Sequence, residues 1–420
     1  IENDADRELG LGICGVDVLV ETLEESCGID EYEIIIGYTV HLLNFLTTMN
    51  DIAVAEGQPT TSNTSSSQKQ LKQVSTSNVI IKRQDVLRRI RSHSAKLIKQ
   101  LVTILTLDRS KYKIETVTST AGALAQLVLW DNNVTHDIIN QQPQFVPNTY
   151  QVLSQYNESQ PLLVKHLCII YQIIGQSGVS ARSMLNLAGL NAAKIISESI
   201  AKFYRSQPLL VKHCLSVLKV LSESGLSPTL AATFNQMSAA TAGAALTYYT
   251  IFVSWKFGMY PGKDDDVDLA DQGAQMDEAS LQREYAGFAD ISNSSVSQRG
   301  SGSLPSASSG TQARDWFEDR TENTSVGLAD IEEILEIGVD FLRKVAEMMT
   351  EAQKKEILSE QMKVTLMQLM SIYMQKNRTM VEKAAVALFR MQKKQGPRSR
   401  FTKLLKMARS QYPDSKSFNE

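Results

Sequence analysis

Disulfides, turn-rich β structure and a strong net charge all find little support in the composition of this 420-residue chain. Four cysteines are too few for a disulfide scaffold and suggest a reducing compartment. Only 10 prolines and 22 glycines argue against an all-β protein with many turns. The 43 basic and 46 acidic side chains leave a net charge of −3, which gives no whole-chain argument for a nucleic-acid binder. Hydrophobic residues, in contrast, make up 43% of the chain, enough to fill a folded core.

Two identical octapeptides, Ser-Gln-Pro-Leu-Leu-Val-Lys-His, mark a repeat in the middle of the chain. They occupy Ser159–His166 and Ser206–His213, 47 residues apart. Apolar residues follow each copy at helical spacing, up to Gly178 and Gly225, which can end a helix. Proline is tolerated in the first turn of a helix. Each unit is therefore predicted to be a helix, a short Ser-Gln-Pro turn and a second helix.

The same outline recurs earlier in the chain with less similarity. Gly15–Ser26 precedes the apolar segment Glu33–Leu46, and Ser94–Leu107 precedes Ile114–Trp130 in the same way. A helical repeat of about 40–47 residues is typical of armadillo and HEAT proteins. One helix pair cannot bury its apolar face alone, so neighbouring pairs are expected to stack. The predicted fold is all-α: an armadillo/HEAT-like right-handed α-solenoid with a helical C-terminal section.

Two segments, Gly15–Leu46 and Gly189–Gly225, resemble armadillo repeats in their residues. Both begin with a glycine before a long helix with Leu, Val and Ile anchors, which the stretches GVDVLVETLEES and GLNAAKIISESIAKFY illustrate. The resemblance implies that the last helix of each repeat lines a groove that binds extended peptides. Side chains at one equivalent position of these helices would then face the groove, and they are Asn44, Gln126, Gln172 and Lys219.

Changes of composition divide the rest of the chain. An acidic run at Asp264–Asp268 and a Ser-rich stretch at Ser292–Gly310 are typical of flexible segments. The region after them is rich in helix-forming and apolar residues at helical spacing. We therefore expect helical repeats at 1–262 with a polar insertion at 58–78, a linker at 263–325, a helical section at 326–412 and a tail at 413–420.

The stretch Leu226–Trp255 contains no charged residue, which raises the question of a membrane span. Its second half is rich in Ala, Thr, Ser and Tyr rather than in the strongly apolar residues of a spanning helix. Small residues allow helices to approach closely. A buried helix of the solenoid is the predicted interpretation.

Motifs of common enzymes are missing or lie in the wrong context. The chain has no G-x-x-x-x-G-K-[ST] phosphate loop and no G-x-S-x-G nucleophile elbow. Gly10–Gly15 matches G-x-G-x-x-G, but charged residues precede it where a dinucleotide site needs an apolar strand. The cysteines form no C-x-x-C pair, and His166 and His213 occupy equivalent positions on helices expected to stack about 8–10 Å apart. We expect a non-enzymatic protein without a cofactor or a metal.

Basic residues dominate the end of the chain. Between Lys376 and Arg409, Glu382 is the only acidic residue. Such a strip is suited to an acidic partner: the chain's own acidic run, an acidic protein tail, an anionic membrane or RNA. The strip consists of Arg390, Lys393, Lys394, Arg398, Arg400, Lys403, Lys406 and Arg409.

The sequence thus favours a cytoplasmic protein–protein interaction scaffold or adaptor that binds an extended or helical partner segment along the solenoid groove. Two alternatives stay open at this point. The basic strip would serve a nucleic-acid or anionic-membrane binder. The helical repeats would also suit the regulatory part of a larger enzyme whose catalytic domain lies upstream of Ile1.

Overall fold

The chain is all-α throughout the part that the structure describes. The computed structural model describes residues 15–26, 36–37, 39–40, 43, 92–106, 112–130, 132–178, 189–224, 228–257, 327–391, 400–415 and 418. These residues form fourteen α-helices and no strand, which confirms the prediction that the fold is all-α. The predicted insertion at 58–78 and the whole of the expected linker at 263–325 lie outside the described residues.

The chain divides into two compact units, Ile1–Ala192 (unit 1) and Ala193–Glu420 (unit 2). The helices of unit 1 are α1 Gly15–Ser26, α2 Ser94–Thr106, α3 Ile114–Trp130, α4 Asn132–Gln141, α5 Phe145–Tyr156 and α6 Pro161–Gln176. Helix α7, Gly189–Phe203, crosses the boundary. The helices of unit 2 are α8 Pro208–Ser222, α9 Pro228–Lys256, α10 Leu328–Met348, α11 Glu351–Ile357, α12 Glu360–Tyr373, α13 Arg378–Met391 and α14 Arg400–Gln411.

In unit 1 the helices pack as pairs and as rows. Helix α2 packs on α3 and α5 packs on α6, while α2 also packs on α5 and α3 on α6. Leu101, Leu124 and Leu167 are fully buried between them. The hydroxyl of Tyr171 on α6 donates to Thr149 Oγ1 on α5 at 2.9 Å, which adds a polar contact inside this apolar core.

Unit 2 has the same two-row packing. Helices α8, α10 and α13 form one row, and α9, α12 and α14 form the other, with α9 on α10 and α12 on α13 between the rows. The rows approach closely at Gly338 on α10, where a Cβ atom would lie 2.7 Å from a methyl carbon of Leu246 on α9. The C-terminal helices therefore share one core with α8 and α9.

The octapeptides form the predicted helix–turn–helix. The backbone N–H groups of Ser159 and Gln160 both donate to the Tyr156 carbonyl, and those of Ser206 and Gln207 both donate to the Phe203 carbonyl. Pro161 and Pro208 then open helices α6 and α8.

A third copy of this turn joins α12 to α13. Here the N–H groups of Lys376 and Asn377 donate to the Tyr373 carbonyl, and Val381 N–H donates to the Asn377 carbonyl at 3.2 Å. The latter bond matches Val164 to Gln160 in the first octapeptide, at 3.1 Å. The same turn therefore recurs in the C-terminal section, although the sequence there has neither the proline nor the serine.

Side-chain caps fix the starts of the last helices. Gln353 N–H donates to Thr350 Oγ1 and Thr350 N–H donates to Gln353 Oε1, a reciprocal capping box at the start of α11. Ser359 accepts from the N–H of Met362 at 3.3 Å, and Asn377 accepts from that of Met380 at 3.1 Å. These caps satisfy backbone donors that no carbonyl inside the helix can reach.

The uncharged stretch Leu226–Trp255 lies almost entirely in α9. Ala239, Ala242 and Ala245 are fully buried there. Thr247 Oγ1 lies 2.8 Å from Thr365 Oγ1 on α12, so a hydroxyl pair crosses between the helices. Among the helices of the described residues, none has the length and apolar character that a membrane span requires.

Candidate functional site

The residues predicted to line a groove are distributed over both units. Gln126 on α3 is buried, with 7% of its surface exposed, and Gln172 on the neighbouring helix α6 is half-buried. Lys219 lies on α8 of unit 2 and is partly exposed. Asn44 lies outside the described residues. The structure therefore brings Gln126 and Gln172 onto packed helices of unit 1 and places Lys219 in a separate charged cluster.

Lys219 takes part in an ion-pair cluster at the centre of the row α8, α10 and α13. Its Nζ lies 3.2 Å from Asp340 Oδ2 on α10, and Nζ of Lys383 on α13 donates to the same oxygen at 2.8 Å. Lys383 also reaches Glu336 Oε1 at 2.6 Å. One carboxylate of the middle helix therefore links both outer helices.

The cluster keeps its charges in spite of burial. The Asp340 side chain is 10% exposed, so desolvation alone would raise its pKa, but hydrogen bonds and charge from Lys383 and Lys219 outweigh that and lower the pKa. Desolvation likewise opposes the charge on Lys383, yet Asp340 and Glu336 together raise its pKa. Both partners are therefore held in their charged forms.

Further ion pairs continue this cluster along the helices in both directions. Towards one end, Lys212 Nζ on α8 lies 2.6 Å from Glu333 Oε2 on α10. Towards the other, Arg343 Nη1 donates to Glu347 Oε1 at 2.9 Å, and Arg390 Nε on α13 lies 4.0 Å from the same oxygen.

The charges recur at intervals of seven residues. Lys212 and Lys219 are seven apart on α8, Glu333, Asp340 and Glu347 on α10, and Lys383 and Arg390 on α13. Seven residues make nearly two helical turns, so each set lies along one side of its helix. We call this surface the charged face; it consists of Lys212, Lys219, Glu333, Glu336, Asp340, Glu347, Lys383 and Arg390.

Exposure differs between the centre and the ends of the charged face. At the centre, the side chains of Asp340, Lys383 and Lys219 are 10%, 27% and 33% exposed. At the ends, those of Glu333 and Arg390 are 51% and 56% exposed. The central ion pairs of Asp340, which are largely shielded from water, hold the three helices together. The exposed groups at the ends remain accessible to charges of another molecule.

Unit 1 has a lysine at the position equivalent to Lys212. Lys165 is the seventh residue of the first octapeptide and Lys212 that of the second. Lys165 is half-buried on α6, and none of the described carboxylates forms an ion pair with it. Burial lowers its pKa. The same octapeptide thus has a charge partner in unit 2, where α10 supplies Glu333, and none among the described residues of unit 1.

The basic strip lies partly within the described residues. Arg400, Lys403, Lys406 and Arg409 are all exposed on α14, and Arg390 is exposed at the end of α13. Lys393, Lys394 and Arg398 lie outside the described residues.

Among the described residues, no side chains have the geometry of a metal site or a disulfide. No three side chains of the His, Cys, Asp and Glu types come together there in a way that could hold a metal ion. Cys168 and Cys214 are fully buried thiols.

Sequence reasoning selected Lys219 as a groove residue but missed the ion-pair cluster that joins it to Asp340 and Lys383. Asp340 lies 121 residues further along the chain and Lys383 another 43. The seven-residue spacing of Glu333, Asp340 and Glu347 was visible in the sequence. It would have predicted an acidic stripe on α10 but not the helices that face it.

No protein-family model matches this chain, and neither a curated protein nor a solved structure matches it. A function for the protein has to be argued from its own residues and their geometry.

Proposed function

We propose that this protein is a non-enzymatic scaffold or adaptor whose helices belong to an armadillo/HEAT-like right-handed α-solenoid. Two features support this fold proposal. Helices pack in two rows within each unit. The same turn, in which two backbone N–H groups donate to the carbonyl of an aromatic residue, joins helices at Tyr156, Phe203 and Tyr373. Stacked helix pairs of this kind bury a continuous core between rows.

The charged face carries the functional part of the proposal. Its charges alternate in sign from α8 to α10 to α13, and its most exposed members, Glu333 and Arg390, lie near its ends. Charges seven residues apart on a helix are about 10.5 Å apart, and packed helices are about 8–10 Å apart. The face therefore presents like charges about 10 Å apart along each helix, while opposite charges on neighbouring helices pair with one another at 2.6–4.0 Å.

An extended polypeptide in the polyproline II conformation fits the spacing along a helix. It has three residues per turn and advances about 3.1 Å per residue, so every third side chain lies on the same side, about 9 Å further along. The proposed partner is a protein segment that lies across the face and places a basic side chain at Glu333 and an acidic side chain at Arg390, the two exposed ends. Each exposed ion pair contributes about 0.2–1 kcal/mol, so affinity would come from several modest contacts.

The proposal includes a cytoplasmic location. Four cysteines in 420 residues and two buried thiols among them fit a reducing compartment.

Charge reversal at the exposed ends of the face tests the proposal. A photo-crosslinking amino acid at position 333 of the full chain would capture the partner for identification by mass spectrometry. We then expect Glu333→Lys and Arg390→Glu each to weaken binding of the purified partner by about twofold to fivefold.

Lys355→Glu is the matched control, because Lys355 is an exposed lysine of α11 away from the charged face. It should leave the affinity within about twofold. Opposite effects of Glu333→Lys and Arg390→Glu, with Lys355→Glu matching Arg390→Glu and helical circular dichroism unchanged, would show that net charge rather than the charged face determines binding.

A further inference from the structure

Helix α14 differs from the rest of unit 2 in the state of its cations. On α8, α10, α12 and α13, lysines and arginines such as Lys212, Arg343 and Lys363 form ion pairs with carboxylates. Arg400, Lys403 and Lys406 on α14 form none with any described residue. The cause is partly local, because α14 contains no acidic residue and none occurs between Glu382 and Asp414.

The cations of α14 have a regular spacing. Arg400, Lys403, Lys406 and Arg409 are three residues apart, so each lies about 4.5 Å further along the helix axis than the one before. All four are exposed, whereas Phe401, Leu404 and Ala408 are buried. Each step of three residues turns by about 60° around the helix, so the four cations form a positively charged ladder that winds across the outer side, with Lys403 and Lys406 near its middle and Arg400 and Arg409 at its flanks.

The last residues of the described chain hold α14 in place. The Tyr412 hydroxyl donates to the Met374 carbonyl at the end of α12. Phe418 is 2% exposed and stacks on Tyr412 with ring centroids 6.5 Å apart. Arg409 Nε donates to the Phe418 carbonyl. The ladder is thus anchored at its C-terminal end before any partner arrives, which lowers the entropy that binding would cost.

From this geometry we infer that α14 is a docking surface for an acidic, helical segment of another protein. Like charges at three-residue spacing disfavour a helix, and an anionic partner relieves that repulsion. Carboxylates three or four residues apart on a facing helix lie about 4.5–6 Å apart along its axis, which matches the spacing of Lys403 and Lys406, the two cations near the middle of the ladder. Met407 is 57% exposed between Lys406 and Arg409, so the segment also carries an apolar side chain against it.

Two other classes of anion fit this surface less well. Insertion into a membrane needs an exposed apolar helix face, and the apolar side chains of α14 other than Met407 are buried or half-buried. Single-stranded nucleic acid needs exposed aromatic rings for stacking, and the one aromatic ring of α14, that of Phe401, is buried. The docking surface is separate from the charged face, so it stands or fails independently of the proposed scaffold function.

The test uses the full chain and a synthetic helical peptide with four glutamates and one leucine on a single face. A scrambled peptide of the same composition, with the glutamates spread around the helix, is the second probe. Binding is measured by fluorescence anisotropy at 100 mM salt. We expect Lys403→Glu and Lys406→Glu each to weaken binding of the one-faced peptide by at least about fivefold. The scrambled peptide should bind the unaltered chain at least about fivefold more weakly.

Lys355→Glu is again the matched control, with one exposed lysine reversed elsewhere in unit 2, and should change affinity by less than about twofold. Circular dichroism confirms folding, and Lys403→Gln replaces the reversal if folding is lost. Equal binding of the two peptides, unchanged affinity of the α14 variants, or an equal loss in the control would each overturn the inference. So would tighter binding of phosphatidylserine vesicles or of a 20-nucleotide RNA than of the peptide.

Discussion

At the scale of single residues, Asp340 is the most buried charged side chain of the ion-pair cluster in unit 2. It lies between two lysines from different helices and is itself largely withdrawn from water. Removing one partner of a buried cluster leaves the others without a counter-charge, which costs more than the pair contributes when intact.

Asp340→Asn should therefore destabilise the protein by about 1–3 kcal/mol, because Lys219 loses the carboxylate with which it is paired. Urea unfolding followed by circular dichroism measures the change. Glu347→Gln, which alters a more exposed carboxylate of the same helix, should cost less than about 1 kcal/mol. Equal costs for the two substitutions would contradict a special role for Asp340.

The pH dependence of stability should follow from the same cluster. The pKa of Asp340 is lowered in the folded protein, so its contribution is present above the unfolded pKa and is lost as the pH falls through the folded one. The pKa of Lys383 is raised, so its contribution is present below the unfolded pKa and is lost as the pH rises through the folded one.

In thermal melts, the stability difference between the wild-type chain and Asp340→Asn should accordingly shrink as the pH falls below about 4. A protonated aspartic acid resembles asparagine in charge. A difference that stayed constant from pH 7 to pH 3 would assign the effect of the substitution to packing.

At the scale of helices, the contact between α9 and α10 depends on glycine. A Cβ atom on Gly338 would lie 2.7 Å from Cδ2 and 2.9 Å from Cγ of the buried Leu246. Helix propensity alone favours Gly338→Ala by about 1 kcal/mol, whereas overpacking in a core costs about 1–3 kcal/mol. The two effects have opposite signs, and the steric one is the larger.

Gly338→Ala should therefore destabilise the protein in urea unfolding, with a net cost of about 1–2 kcal/mol. Gly243→Ala is the comparison, since its Cβ would meet Met362, a flexible side chain that can shift aside. It should cost less. A stabilised Gly338→Ala variant would show that α9 and α10 can move apart freely.

The same scale shows how far a sequence predicts helices and where it stops. The turns before α6 and α8 were predictable because eight identical residues form both. The turn at Tyr373 was missed because it shares with them only an aromatic residue at its start and a valine eight residues later. Backbone geometry tolerates that divergence, since the turn is made by backbone N–H groups and a carbonyl.

The pairing of residues far apart in the chain is the second feature that the sequence does not predict. Lys219 was selected as a residue facing a partner peptide, and its nearest carboxylate is that of Asp340, on a helix beyond the acidic and Ser-rich stretch. Which helices become neighbours depends on the packing of apolar faces along both rows. Local spacing and propensity do not contain that information.

At the scale of the whole molecule, two compact units predict two unfolding steps. Each unit has its own buried core, around Leu124 and Leu167 in unit 1 and around Val339 and Leu388 in unit 2. Separate cores unfold separately unless a large interface couples them.

Tyr171→Phe and Asp340→Asn should accordingly shift different transitions in calorimetry of the full chain. The first removes the hydrogen bond to Thr149 in unit 1 and should cost about 0.5–1.5 kcal/mol. The second acts in unit 2. One transition that moved with both substitutions would mean that the units unfold as a single cooperative body.

Because the two octapeptides are identical, the residues between them can be deleted without changing the sequence at the junction. Deleting residues 160–206 would join Ser159 to Gln207, and the junction would still read Ser-Gln-Pro-Leu-Leu-Val-Lys-His. Such a deletion shortens the chain by 47 residues, the distance between the two copies, and adds no new sequence at the junction. An experimenter can then vary the number of helix–turn–helix units in the chain rather than a single side chain.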